Sequence, residues 1–432
     1  MRYRWAILFF GILAYGTSQF ARQNFNGIQK YIAADLSLDR GELGRLASLF
    51  FWSYAIFQMP WGIASDRFGS RTIVGLGILL TAVTMAGFAA GQTEGSLLFW
   101  RAAAGIAGAA VYVSLTGNLA RWFPGKERSF SQATLGGVGG ALGEGTAYFL
   151  LPVLAIYFAS GSGWRQGMNT IAGTIALMGV LCILFLKSAP AGHQATTRRP
   201  FDWKLLGDMQ LWCYTFIYCG FVTGIRVTQT WMAVYATDVY ISKYGLALNQ
   251  AVIAGGLLAL IAYSLMGRAI GCPLAGKMSD MLAGRGVSRT AVLIGWLIFA
   301  IIMLQILSMG VSTIWALGIV IALLGASVNL FSLVPAAISE TYGSQRTASV
   351  SSFANMMGQF SGATALWASG YVGISLNSTP GNALGEYRGI WLSGMVGMAI
   401  MATLGVAAYV ACRTGWAAGP RRVSSLSEEA RP

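Results

Sequence analysis

Apolar runs of about twenty residues recur along the whole chain, and few folds accommodate them. At a rise of about 1.5 Å per residue, such a run makes a helix about 30 Å long, which matches the hydrocarbon core of a bilayer. Strand-like alternation, the mark of a membrane barrel, is absent from the sequence. Twelve spans are expected, at approximately 5–31, 41–63, 72–91, 96–120, 129–157, 167–187, 207–237, 248–275, 288–308, 312–338, 345–372 and 388–412. Only 10% of the residues are charged and 55% are hydrophobic, where a soluble domain carries roughly 25% charge. The sequence therefore predicts an all-α, multi-pass integral membrane protein whose first partner is the lipid bilayer. The first run lacks a small-residue cleavage site after a short core, so it is expected to be a retained helix.

The stretch "KSAPAGHQATTRRPFDWK" (187–204) breaks this pattern with basic residues and prolines. It divides six spans from six, which predicts one half over 1–187, a linker over 188–206, a second half over 207–412 and a tail over 413–432. With both termini and the linker on one side, nineteen of the 29 Lys and Arg lie on or beside that side. Basic residues favour the cytoplasmic face, so both termini are expected there, in a bacterial inner membrane. The net charge of +14 thus reads as topology, with no nucleic-acid partner. The five cysteines lack metal-ligand spacing, and the one histidine, His193, lies in the linker. No Gly-x-x-x-x-Gly-Lys-Ser/Thr phosphate loop occurs. Neither an enzyme, a metal site nor a cofactor is expected.

The halves carry a repeat. "GIASDRFGSR" (62–71) follows the second span and "GKMSDMLAGRGVSR" (276–289) the eighth; each opens Gly-x-x-x-Asp and runs on to basic residues. Asp66, Arg67 and Asp280 are candidate gating residues here, since such a carboxylate caps a following helix or latches a neighbouring arginine. These motifs, "RAAAGIAG" opening the fourth span and the six-plus-six layout resemble the major facilitator superfamily. "SLFFWSYAIFQMPWGIASDRFGSR" (48–71), "ARWFPGKERS" (120–129) and "GWR" (163–165) are similar to its anion:cation symporter branch, which carries organic anions, often with protons. "RQNF" (22–25) with "DRGELG" (39–44), and "IRVTQTW" (225–231), resemble the neighbouring organophosphate:phosphate antiporters. The resemblance implies twelve helices in two pseudo-symmetric halves that rock around a central site.

Three arginines fall inside spans: Arg22, Arg226 and Arg268. A charge at mid-bilayer costs at least about 2.5 kcal/mol, and such residues face a polar interior. Arg22 and Arg226 occupy equivalent spans, so they should face each other across the axis between halves. Two converging guanidiniums repel unless an anion neutralises them, and each offers a planar fork suited to carboxylate or phosphate. In the antiporters the equivalent pair binds substrate phosphate, and the resemblance carries that role to Arg22 and Arg226. The antiporters' cavity lysine aligns with Gln58 and their histidine with Gly139; the symporters' aspartate aligns with Ala21 and their glutamate with Gly108. The usual phosphate ligands and proton carriers are thus both missing.

One acid, Glu144, lies well within a span, at a depth comparable to Arg268. The two are expected to pair across the interface between halves. Glu144 is then either a static partner or the residue that takes up a proton when the pair parts. Tyr15, Gln19, Asn24, Tyr54, Gln58, Gln229, Asn355 and Gln359 are candidate lining, whereas Trp231 and Tyr235 are assigned to the interfacial aromatic belt. The reading is a monomeric secondary transporter of a small organic anion, a carboxylate or sugar acid, coupled to protons. A phosphate-exchanging organophosphate carrier and a transporter-like anion sensor are the alternatives.

Overall fold

The computed structural model describes residues 3–123, 127, 131–132, 134–158, 163–188, 203–342, 344–376 and 384–414. The described residues form twelve long helices. The first six are α1 (Tyr3–Leu36), α2 (Arg40–Phe68), α3 (Ser70–Ala90), α4 (Glu94–Trp122), α5 (a π-helical turn, Leu135–Gly139, leading into Gly140–Tyr157) and α6 (Gly163–Phe185). After a 3-10 turn at Trp203–Gly207 come α7 (Met209–Tyr244) and α8, which is α-helical over Leu248–Leu258, π-helical over Ala259–Gly271 and α-helical again over Cys272–Gly284. Then follow α9 (Arg289–Ser308), α10 (Ile314–Val328, a 3-10 turn Asn329–Leu333, Val334–Tyr342), α11 (Ser344–Ser375) and α12 (Gly385–Thr414).

Packing follows one scheme twice. In the first group α1 packs on α5, α2 on α4, α3 on α6 and α5 on α6; in the second α7 packs on α11, α8 on α10, α9 on α12 and α11 on α12. Adding six to each number in the first set gives the second, which is the pseudo-two-fold relation of the halves. Between the groups, α2 lies along α11, α5 along α8 and α1 beside α7.

Eight helices qualify as membrane spans on length and apolarity alone: α3, α4, α5, α6, α8, α9, α10 and α12. The other four, α1, α2, α7 and α11, are also long, at 29 to 36 residues, but more polar. Those four face one another along the axis between the groups, so polarity here marks the inside of the protein, not its aqueous surface. Several helices overrun the expected spans, among them α1 to Leu36, α2 to Phe68, α7 to Tyr244 and α8 to Gly284. Side chains that leave the hydrocarbon can still continue a helix, and hydropathy does not report that.

The aromatic assignment on α7 is overturned. Trp231 and Tyr235 are buried within the protein; the Trp231 indole N–H donates to Ser369 Oγ at 2.9 Å and the Tyr235 hydroxyl to the Val311 carbonyl at 2.7 Å. Helix α7 is buried almost continuously from Leu211 to Val239, so these two rings have no lipid face to occupy.

At the end of the molecule remote from the chain termini, here the distal end, the two groups are closed on each other. An Asp39–Glu42 capping box fixes the start of α2, so Arg40 opens the helix. Arg40 pairs with Asp238 of α7 (2.8 Å) and Glu386 of α12 (2.8 Å), while Lys30 of α1 also pairs with Asp238. The Tyr387 hydroxyl donates to Asp238 at 2.7 Å, and the Arg40 guanidinium lies 4.5 Å from the Tyr387 ring centroid. Two cations of one group thus interlock with two carboxylates of the other.

Candidate functional site

Helix α1 brings Arg22 to mid-depth, α7 brings Arg226, and α2 inserts aromatic rings between them. The Arg22 guanidinium lies 5.9 Å from the Phe51 ring centroid and 5.1 Å from that of Tyr54; Arg226 lies 4.1 Å from Phe51. Both arginines therefore share one ring face environment, and both are buried. Their hydrogen bonding differs sharply. Arg226 donates to Gln229 Oε1 and to Gln359 Oε1, each at 2.9 Å, and its Nε is buried without a partner. Among the described residues Arg22 makes no hydrogen bond or ion pair; aromatic faces are its only favourable neighbours. Such contacts return about 0.5–2 kcal/mol each and leave the guanidinium N–H groups without a protein acceptor.

A polar girdle continues from Arg226. Gln359 donates to Asn355 at 3.1 Å, Asn355 donates to Gln58 at 3.0 Å, and the Tyr218 hydroxyl donates to Asn355 at 3.0 Å. The Gln58–Asn355 bond crosses between the halves. Gln58 Nε2, like Arg226 Nε, is left without an acceptor. Tyr54 stacks on Phe50, and Tyr15 lies 5.1 Å from Tyr112, centroid to centroid. Of the other lining candidates, Gln19 is buried on α1 without a bond to either arginine, and Asn24 turns away toward Arg101, 3.5 Å from its Nη1.

Glu144 and Arg268 meet across α5 and α8. Arg268 Nη1 donates to Glu144 Oε2 at 2.5 Å and its Nη2 donates to the Gly136 carbonyl at 3.1 Å, while Gln229 Nε2 of α7 donates to Glu144 Oε1 at 2.7 Å. Glu144 is 0% exposed. Gly140 makes the geometry possible, since a Cβ there would stand 2.4 Å from Arg268 Nη2. Gly143 lets α1 approach, with a Cβ position 2.0 Å from the Gly16 carbonyl oxygen. Both helices are π-helical close to the pair, at Leu135–Gly139 and Ala259–Gly271. Such wide turns are frequent at functional sites because they re-aim side chains out of α-helical register.

The repeat-loop candidates lie elsewhere. Asp66 stands 3.9 Å from Arg121 of its own half, and Arg67 is exposed beside Phe68. Asp280 lies in the last segment of α8, and its side chain is outside the described residues. Arg101, the first residue of "RAAAGIAG" near the start of the fourth span and not among the site candidates, is buried about two turns into α4, donating to the Leu46 carbonyl at 3.2 Å between the rings of Phe25 and Phe50. Gln23, buried on α1 and bonded to Gln229 at 3.0 Å, went unnoticed because a lone glutamine in an apolar run carries no distinctive signal.

The chain belongs to the Major Facilitator Superfamily, whose family profile matches residues 11–366. It is similar to the chloroplastic ascorbate transporter of Arabidopsis thaliana, with 25% identity over 308 residues that cover 67% of this chain and 54% of that protein. It is similar as well to the probable galactarate/D-glucarate transporter GudP of Bacillus subtilis (strain 168), at 26% identity covering 66% of this chain and 67% of that one. The chain thus spans about half the length of the plant relative. Among solved structures, a bacterial homologue of the human lysosomal transporter Spinster, in an inward-facing and unoccupied conformation, shares the fold with a TM-score of 0.75 and 15% identity, covering 97% of this chain and 99% of that one.

Proposed function

We propose that this protein is a secondary transporter of a small organic anion, a carboxylate or sugar acid, driven by protons and working by alternating access. The observation that carries the reading is the state of Arg22, a buried residue whose guanidinium has aromatic faces around it and, among the described residues, no hydrogen-bond acceptor. Together with the unpaired Arg226 Nε and Gln58 Nε2, it leaves the centre rich in donors and poor in acceptors. A ligand that supplies several anionic oxygens corrects this deficit, and a fork-shaped guanidinium suits a carboxylate. The names of the relatives, an ascorbate and a galactarate/D-glucarate transporter, agree with that class of ligand. An anion between Arg22 and Arg226 would draw the halves (1–187 and 207–412) together, which is the differential binding that a rocking cycle requires. Glu144 serves as the coupling residue in this reading, hydrogen-bonded by Arg268 and Gln229 and taking up a proton during the cycle. The protein acts as a monomer in a bacterial inner membrane, with termini and linker in the cytoplasm.

Uptake of labelled glucarate, ascorbate and a sugar phosphate into proteoliposomes, with and without an inward proton gradient or internal phosphate, tests this. Carboxylate accumulation that rises with the proton gradient supports the symport reading. Uptake that ignores the gradient and requires internal phosphate makes the protein an organophosphate exchanger instead.

A further inference from the structure

Three amides on α1, Gln23, Asn26 and Gln29, sit at i, i+3 and i+6 and are all buried. They form a series in which each amide donates to the next. Gln29 Nε2 donates to Asn26 Oδ1 (3.3 Å), Asn26 Nδ2 to Gln23 Oε1 (2.5 Å), Gln23 Nε2 to Gln229 Oε1 (3.0 Å), and Gln229 Nε2 to Glu144 Oε1 (2.7 Å). The polarity is fixed by chemistry at the Glu144 end. Arg226 can only donate, and it donates to Gln229 Oε1; an ionised Glu144 can only accept, and it accepts from Gln229 Nε2. Gln229 has one possible orientation, and each preceding amide then has one as well. At the other end Gln29 Nε2 also donates to the Thr230 carbonyl at 2.9 Å, leaving Gln29 Oε1 without a partner. Gln29 lines a small cavity with Asn26, Lys30 and Thr237, directly beneath the distal Lys30–Asp238 pair.

We propose that this series is a polarised tie between the halves that reads the charge of Glu144 and holds the distal ends of α1 and α7 together more firmly while that carboxylate is ionised. This rests on the reading of Glu144 as the coupling residue. Aligned amide dipoles reinforce one another, and all four point their positive ends toward Glu144, so the negative charge is what rewards the alignment. A proton on Glu144 needs one of its two oxygens, and each already faces an N–H, from Gln229 or from Arg268. Once protonated, Glu144 accepts from Gln229 Nε2 more weakly; Arg226 keeps Gln229 oriented, but its bond to Gln23, the link from α7 to α1, loses the reinforcement of the negative charge. The groups that share the surroundings of Glu144 are Arg226 from α7, Arg268 and Tyr263 from α8, Tyr148 on α5 itself, and Tyr15 and Arg22 from α1. Helix α6 meets α5 nearer the distal end, through Gly167 against Leu154 and Ala155. Gln23, Asn26 and Gln29 are positioning residues, since none of them touches the proposed anion site.

The test is the distance between spin labels at Ser37 and Thr313, on the distal loops of the two halves, as a function of pH and without any substrate. In the wild type, the distal-open population should rise as pH falls, and Glu144→Gln should be more open and insensitive to pH. Gln23→Met and Asn26→Leu keep side-chain size but break the series at different links. Each should raise the distal-open population at high pH by about fivefold, the effect of one lost hydrogen bond, and should flatten the pH response. Wild-type midpoint and amplitude in both variants would overturn the tie. So would identical distance distributions for wild type and Glu144→Gln at every pH. Proton-driven uptake by the same proteins separates the two readings. Coupling that survives in Glu144→Gln removes Glu144 from that role, whereas coupling lost there, with unchanged distances in Gln23→Met and Asn26→Leu, defeats only the tie.

Discussion

Gly140→Ala offers a way to break the Glu144–Arg268 pair without altering either charge. The new Cβ would stand 2.4 Å from Arg268 Nη2 and 2.8 Å from its Cζ, whereas ordinary contact begins near 3.4 Å. The guanidinium must therefore withdraw by about 1 Å, which takes the 2.5 Å contact with Glu144 to the limit of hydrogen bonding. The obstructing atoms are the tip of a flexible side chain, so helix packing survives and the loss falls on the ion pair. A hydrogen bond to a charged group is worth about 1.5–3 kcal/mol, which is roughly ten- to a hundredfold in an equilibrium. Proton-driven accumulation in proteoliposomes should fall at least about tenfold, while the melting midpoint in detergent drops by only a few degrees. Gly136→Ala and Gly137→Ala supply the control, because a Cβ at either position meets nothing within 4 Å. Wild-type accumulation by Gly140→Ala, or an equal defect in the controls, would refute the reasoning.

Arg22→Lys keeps the charge but loses the planar fork, so substrate binding should weaken by at least about tenfold with folding intact; titration calorimetry with glucarate checks this, and unchanged affinity would take Arg22 out of the site. Exchanging the charges, as Glu144→Arg with Arg268→Glu, should fail to rescue transport. Position 144 faces the Gln229 amino group and lies near Arg226, which both reject a cation; recovery of uptake in the double variant would contradict that arrangement. Asp238→Asn leaves Lys30 and Arg40 with Glu386 as their remaining acid in the distal cluster. An impermeant thiol reagent should then modify a cysteine replacing Thr237 about tenfold faster, an effect on the order of 1–2 kcal/mol for a partly exposed network, and an unchanged rate would show that the cluster does not hold the distal end shut.

The fold was legible because bilayer thickness imposes a length on every span and six-plus-six repetition imposes an order. Arg22, Arg226, Glu144 and Arg268 stood out because charge within an apolar run has to be explained. Lys30, Arg40 and Asp238 did not, since a charge near a span's end has the same appearance whether it meets water or another helix. Arg101 was hidden in the same way, two turns into α4 but close enough to a loop to pass as its flank. The amides of α1 were the hardest to see. Their spacing of three residues puts them on one face, yet nothing in a single helix shows that the series continues through Gln229 of a helix two hundred residues away.

Three guanidiniums against one carboxylate leave the centre of the substrate-free protein with two uncompensated positive charges, at Arg22 and Arg226. A rocking motion shifts this region's exposure from one side of the membrane to the other, so the voltage across the bilayer does work on it, at most about 2.3 kcal/mol per charge for 100 mV. A carrier loaded with one monoanion and one proton bears the same interior charge as the empty one, whereas a dianion with one proton bears one less. The two loaded forms would feel the membrane potential differently. Current recorded from membranes containing the protein would then count the charges on whatever anion it carries, before that anion has been identified.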